Sequence, residues 1–533
     1  MIVLCSPIRG TARAVALLFV LGATASGAHA APACSVTDAI TSPAGCELTT
    51  VWSGSGEFEP AIVSVTSGGQ YSHAPAGLYI YNSNNIAPGG NSGTRGIHVD
   101  GESSANVASR ADIAGYVPIT IHVTNVANPD DNDGVYVGDG AQVQLRQGLN
   151  VITTTTGNPA YQARAVTVNG VGALAGSHAS LTVTGSLEAD TSGAPSTVQS
   201  IRVADRGQVQ AQGGGAVASA RIGIHAYDAG VFESTSATAT MSVTAGTHAV
   251  VVEGAYDLTK PVARVALGKG NLNAMASAVV LTSNVASMAT GAAFTQSGGS
   301  ITSSQGSAFV FASGSGPTNV WLENTSVQSN GALGPGPDGY AAGLVAYSMA
   351  ELATLTAVKS HLIGPMGTDG PGRLWLNLSD TQWNTGGDPS TANSNWLTGI
   401  SGSGTIVMPD VKDRITLTGA PGGFLGETGC GAAALTLAVP AGQAAPPTSP
   451  HAVMVCQHAV SYPTMVLEGG SVALGGYNYT LETVVAEGRA VYQLVRRGPV
   501  GSNQINSVPA LSTWAMLLMS GLLALAGLRR RRR

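Results

Sequence analysis

Residues 134–145 read GVYVGDGAQVQL, and the fold follows from that stretch. A small residue leads into an alternating apolar strand, a tight turn of three or four residues follows, and a second short strand comes next. Alternation places Val135 and Val137 on one face of their strand. The theme returns at residues 165–174 (AVTVNGVGAL), 200–209 (SIRVADRGQV), 223–232 (GIHAYDAGVF), 248–258 (HAVVVEGAYDL), 307–311 (SAFVF) and 343–352 (GLVAYSMAEL). In the third of these, Ile201 and Val203 share a face in the same way. One such strand cannot bury its apolar face alone, but stacked turns build a continuous narrow core from neighbour contacts. Val, Ile, Ala and Leu suit that core, and Gly, Asn and Asp suit its corners. The expected fold is all-β: a right-handed parallel β-helix. With roughly 20–25 residues per coil and ~4.8 Å per coil, the body forms a rod of about 80–100 Å. A row of β-sandwich modules is the rival, but it calls for a boundary about every 100 residues and buried Trp or Tyr, and the sequence displays neither.

Composition agrees. Charged residues make up 10% and aromatics 5%, while glycines number 71. A compact globular enzyme carries more aromatics and more helix-forming Glu, Lys and Leu, and a disordered chain carries more charge and less Val and Ile. Many short strands joined by tight turns fit these proportions.

Both ends carry address signals. Arg9 and Arg13 precede the apolar run 14–22 (AVALLFVLG), and Ala28-His29-Ala30 forms a small-x-small cleavage site. This is a secretory signal peptide over residues 1–30, with the mature chain starting at Ala31. The run is too short to span a bilayer comfortably. Lipidation at Cys34 is excluded because Ala31 stands where a Leu-like residue is needed. At the other end, Leu511 to Leu528 is an uncharged stretch of 18 residues. As a helix it reaches ~27 Å, just enough to cross the apolar bilayer core. Arg529, Arg530, Arg531, Arg532 and Arg533 follow at once and stay cytoplasmic. Pro509 and the Gly/Ser/Asn-rich stretch before it let the folded part end, with a linker over 499–507. The two end segments hold seven of the 24 basic residues and none of the 30 acidic ones. The part between them is therefore acidic, which argues against nucleic acid or anionic lipid as partners.

Residues 508–515 (VPALSTWA), the apolar stretch and the Arg cluster together resemble the IPTL-type C-terminal sorting domain. That family's pattern is Ile-Pro-Thr-Leu-Ser-x-Trp-Gly, then a helix, then arginines. Pro509, Leu511, Ser512 and Trp514 match it; Val508, Ala510 and Ala515 depart from it conservatively. The resemblance implies an exported protein, in transit through the inner membrane, whose tail (508–533) is read by the export route's exosortase, a membrane transpeptidase-like enzyme. An ordinary C-terminal anchor is the alternative, and it also places the body outside the cytoplasm.

A second resemblance covers residues 371–498. The stretches 376–384 (LNLSDTQWN), 402–408 (GSGTIVM), 472–481 (VALGGYNYTL) and 491–495 (VYQLV) are similar to the C-terminal part of pertactin-type autotransporter passengers, with Val491 in place of a Trp. The resemblance implies final β-helical coils that help the rest to fold. Autotransporters continue into a membrane β-barrel of many strands. Here one helix follows, so the sorting tail stands in for the barrel. The remaining divisions are an N-terminal cap at 31–50 and a β-helical body at 51–370.

Four cysteines follow the signal. Cys34 with Cys46, and Cys430 with Cys456, are the expected local disulfides in an oxidising compartment. Other connectivities and free buried thiols are the alternatives. No cysteine spacing suggests zinc, and no cofactor or metal is expected.

Evidence for chemistry is thin. Asp130, Asp131 and Asp133 lie in NPDDNDG, but a calcium loop of EF-hand type lacks its ligand at Pro129 and its distal Glu, so a solvated turn before the strand at Gly134 is the reading. His98, His122, His225 and His248 read as outward strand positions. Gly90-Asn91-Ser92-Gly93 lacks the strand-to-helix turn of a nucleophile elbow. Trp375, Trp383 and Trp396 are clustered and suit either stacking on sugar rings or coil packing, and packing is preferred. Trp321 reads as packed within its coil. Two functions follow from these features. One is a non-enzymatic surface or envelope protein, adhesive or matrix-forming, with a surface glycan or host or matrix ligand as partner. The other is a carbohydrate-active surface β-helix, which requires two or three carboxylates with a Lys or Arg over a groove on adjacent coils.

Overall fold

In the computed structural model, Asn132–Gly138 and Gln142–Leu145 are strands, and Asp139 and Gly140 between them have φ of 41° and 80°. Two successive left-handed residues bend the chain sharply. The corner recurs at Asp205-Arg206 (50°, 67°) and Asp228-Ala229 (47°, 70°). The flanking strands do not pair with each other. Each pairs in parallel with its counterpart one coil away, as Gln142–Leu145 does with Ser180–Val183. The structure describes strands and tight turns between Cys46 and Val500; residues 1–45, 501–533 and several connections, among them 85–94, 102–108, 126–131, 171–177, 255–262 and 284–292, lie outside the described residues.

Three strands make a coil, as in Gln199–Ala204, Gln208–Ala211 and Gly215–Ser219. First-position strands form a ten-stranded parallel sheet from Ala61–Thr66 to Val345–Tyr347. Second- and third-position strands form the two faces of a 26-stranded sheet. The architecture is a parallel β-helix with three sides, and no helix occurs among the described residues. The coils are longer than expected. Twenty-three residues separate the paired Ile201 and Ile224, but 38 separate Ile97 and Val135. The longest column of parallel strands, from Cys46–Leu48 to Thr464–Leu467, takes fourteen steps and advances ~67 Å at ~4.8 Å each. The rod is shorter than the strand pattern alone suggested, because the coils take more residues than their strands account for.

The core is a set of columns along the axis. Val99, Val137, Val168, Val203, Ala226, Val252, Leu281 and Phe311 stack one per coil, each 0% exposed. A fully buried side chain of this kind contributes about 1.5–3 kcal/mol. Some polar groups enter the interior at corners, where they bond to the backbone. Thr325, Ser360 and Thr381 stack there: the Thr325 amide donates to Ser360 Oγ (3.2 Å) and the Ser360 amide donates to Thr381 Oγ1 (3.2 Å).

The cross-section changes at Leu374–Asn384. This 11-residue strand pairs with Ala353–Val358 through its first half and with His361–Ile363 through its second, so two sides merge into one. A six-stranded sheet starts at Ser394–Leu397 and continues through Arg414–Leu417 to His451–Cys456. There the direction reverses. Arg489–Pro499 runs antiparallel to His451–Cys456, and Tyr477–Ala486 runs antiparallel to Arg489–Pro499. Cys430 and Cys456, both fully buried, are joined by a disulfide with a Cα–Cα distance of 5.9 Å.

Candidate ligand-facing surfaces

The alternation that fills the interior sends every other side chain outward. On the second side, Gln144, Thr182, Gln210 and Glu233 form one outward row across successive coils. Exposed ion pairs cross such rows: Arg146 donates to Asp112 (2.9 Å), and Arg264 donates to Glu233. Pairs of this type contribute little to stability. They leave the rows flat and mainly hydroxyl- and amide-bearing.

The first side carries a denser cluster. Asp133 is 0% exposed. It accepts a hydrogen bond from Thr167 Oγ1 (2.6 Å) and lies between Arg95 (3.6 Å) and Arg164 (3.9 Å). The Arg95 guanidinium also sits 4.1 Å from the Tyr136 ring centre. Burial, helped by Asp100, pushes the Tyr136 hydroxyl up to about 12. This corrects the reading of Asp133 as part of a solvated turn. The strand begins at Asn132, and the carboxylate is desolvated between two cations from adjacent coils. Its role is structural, since its charge is already paired. His98, His225 and His248 are half-buried on first-side strands. His248 Nδ1 donates to the Ser277 carbonyl (3.0 Å), and burial lowers its pKa below the ordinary value despite that bond.

Of the clustered tryptophans, Trp375 and Trp383 are buried, donating to Ser401 Oγ and to the Gly364 carbonyl, both at 3.1 Å. Trp396 is half-buried. Neither Trp375 nor Trp383 offers a ring face to a ligand. Trp321 requires a correction in the other direction: it is 48% exposed and not packed within its coil. In the strand Thr318–Glu323, Val320 and Leu322 point inward, so Trp321 must point out.

An open depression of about 510 Å³ lies over the merged side, lined by Asp380, Gln382, Thr405, Thr436 and Glu468 among others. It holds two carboxylates but no Lys, Arg or His in its lining. Asp380 reaches it because its backbone is left-handed (φ 49°) at the point where the strand bulges.

The expected address signals fall elsewhere. Ala28, Ala30, Ala31, Cys34, the motif residues from Val508 to Trp514 and Arg529 to Arg533 lie outside the described residues, as does the apolar stretch Leu511 to Leu528. Cys46 opens the strand Cys46–Leu48. Comparison with known families finds the IPTL-CTERM motif at residues 506–533. The motif implies an exported, surface-directed protein processed at its C-terminus by an exosortase-like enzyme. No curated protein matches the chain.

Proposed function

We propose that the mature protein is a non-enzymatic β-helical rod of the cell surface or outer envelope, adhesive or matrix-forming. The observation that carries this reading is the sorting motif at 506–533, which begins only a few residues after the rod's last strand, Arg489–Pro499. The acidic composition, the wide polar faces and the resemblance of residues 371–498 to pertactin-type passengers support it. A long repetitive surface provides many weak contacts, which suits attachment through avidity. The test is to delete the gene, measure attachment and biofilm on several surfaces, and determine the termini of the mature protein from fractionated cells. Reduced attachment, an N-terminus at Ala31 and loss of Arg529 to Arg533 are expected. Unchanged attachment on every surface overturns the adhesive role. An intact tail overturns the processing.

A second reading, cleavage of a polysaccharide, has one observation in its favour: Asp380 and Glu468 line the same depression. A pair of carboxylates is the minimal equipment for glycoside hydrolysis. Release of oligosaccharides from a polysaccharide panel by the wild type but not by Asp380→Asn supports this reading, and no release removes it.

A further inference from the structure

We infer that Trp321 and Thr356 form a binding platform for a neutral polysaccharide. The first observation is the indole itself. Trp321 is 48% exposed; among the described residues the other exposed large apolar side chains are Met275 and a group between Val460 and Val500. Its indole N–H has no acceptor among the described residues, whereas Trp375 and Trp383 both donate from Nε1. A large aromatic body with a free polar tip is the usual composition of a contact residue.

The second observation is the row in which Trp321 stands. Register places Thr295, Trp321, Thr356, Asn377 and Ser401 beside one another on five successive coils. Three of these are joined in one direction. Trp375 Nε1 donates to Ser401 Oγ (3.1 Å), Ser401 donates to Asn377 Oδ1, and Asn377 Nδ2 donates to Thr356 Oγ1 (3.3 Å). The chain of donors ends at Thr356. Its oxygen already accepts, and its own proton has no acceptor among the described residues, so it is free to donate to a ligand at the register position next to Trp321. Buried Trp375 anchors the far end and fixes the polarity of the row.

The ligand class follows from this geometry. A pyranose offers an apolar face of C–H bonds to an indole and hydroxyl oxygens at its rim to a donor such as Thr356. Strands are spaced ~4.8 Å apart, which is close to the length of one sugar unit. A polysaccharide lying along the rod axis therefore meets one side chain of the row per residue. The row contains no cation, and the body is acidic, so an anionic polymer is disfavoured. The inference deepens the adhesive reading and rests on it for placing the rod outside the cell.

The experiment uses the mature protein purified from cell envelopes, with neutral β-glucan hexaoses (β-1,4 and β-1,3) as probes and an alginate oligosaccharide as the anionic control. Intrinsic fluorescence and calorimetry report binding. Saturable binding of a neutral hexaose with a blue-shifted tryptophan signal is expected. Trp321→Ala should weaken it tenfold or more and abolish the shift, Trp321→Tyr should retain most of the affinity, and Thr356→Val should weaken it severalfold. The far-ultraviolet spectrum should stay unchanged in all three, because the altered groups face solvent. No binding of either neutral hexaose, equal binding by Trp321→Ala, or preferential salt-sensitive binding of alginate overturns the inference. If cells lacking the protein attach poorly, and Trp321→Ala both restores them fully and binds the hexaose as the wild type does, the platform is refuted and the adhesive reading stands. If hexaose binding depends on Trp321 but attachment never depends on the protein, the platform stands and the adhesive reading falls.

Discussion

Removing the Cys430–Cys456 disulfide should loosen one end of the rod and leave the remainder intact. The bridge closes a loop with a sequence separation of 26 residues. In the chain-entropy treatment a loop of that size lowers the entropy of the open state enough to stabilise the closed state by about 3.5 kcal/mol at 25 °C. That corresponds to a few hundredfold in the local opening equilibrium. Coils touch only their neighbours, so stability is a sum of local terms and a local loss is not shared along the stack. The double variant Cys430→Ala/Cys456→Ala keeps small apolar side chains at two fully buried positions, and its added packing cost is modest. The assay is hydrogen exchange read by peptide mass spectrometry on the wild type and the variant, with reduced wild type as a second way of breaking the bridge. Protection should fall by two orders of magnitude or more in the strands Ala433–Ala438, His451–Cys456 and Arg489–Pro499. It should be unchanged in Gln199–Ala204 and Met241–Ala245. An equal loss of protection along the whole chain would refute the nearest-neighbour reasoning. No loss at the C-terminal end would show that the open state is held together by other contacts.

Asp133→Ala leaves two cations without their buried partner and should destabilise the N-terminal coils by about 3–5 kcal/mol; Asp133→Asn, which still accepts from Thr167, should cost less, and thermal unfolding checks the order. Gly402→Ala should lower the unfolding temperature of the merged coils by several degrees, because φ is +89° there and an added Cβ would lie 1.9 Å from the Leu378 carbonyl oxygen. His451 is almost fully buried beside the Val411 carbonyl (3.0 Å), and burial lowers its pKa even though that bond raises it. Its unfolded state therefore takes up protons first. The stabilisation is complete above the ordinary value of about 6.5 and is lost as pH falls below it. Denaturant midpoints measured from pH 7 to 5 should fall less steeply for His451→Gln than for the wild type.

The strands and their corners were legible because each is written locally. The valine alternation of residues 134–145 specifies an inward face, and Asp139-Gly140 marks a left-handed turn. Asp133 was not legible, because its partners Arg95, Arg164 and Thr167 lie on adjacent coils, Thr167 being 34 residues away. The acidic run around it looks solvated in isolation. Coil length was missed for a related reason, since a strand pattern does not determine how many residues the connections take. Trp321 was a different case. The same alternation that buries Val320 and Leu322 turns it outward, so the signal was present in residues 318–323, and the general rule that large aromatics are buried obscured it. The sorting tail was legible because an apolar stretch between a Pro/Trp motif and an Arg cluster has physical meaning before any folding occurs.

The reversal of strand direction at Arg489–Pro499 has a consequence for assembly. A stack of parallel coils is a template that a second molecule's first coil can extend, which is the route to head-to-tail filaments. Because the closing strands of that sheet alternate in direction and end in the short antiparallel strand Val472–Leu474, an incoming chain finds no run of parallel strands to continue there. Parallel extension is blocked on that sheet by topology.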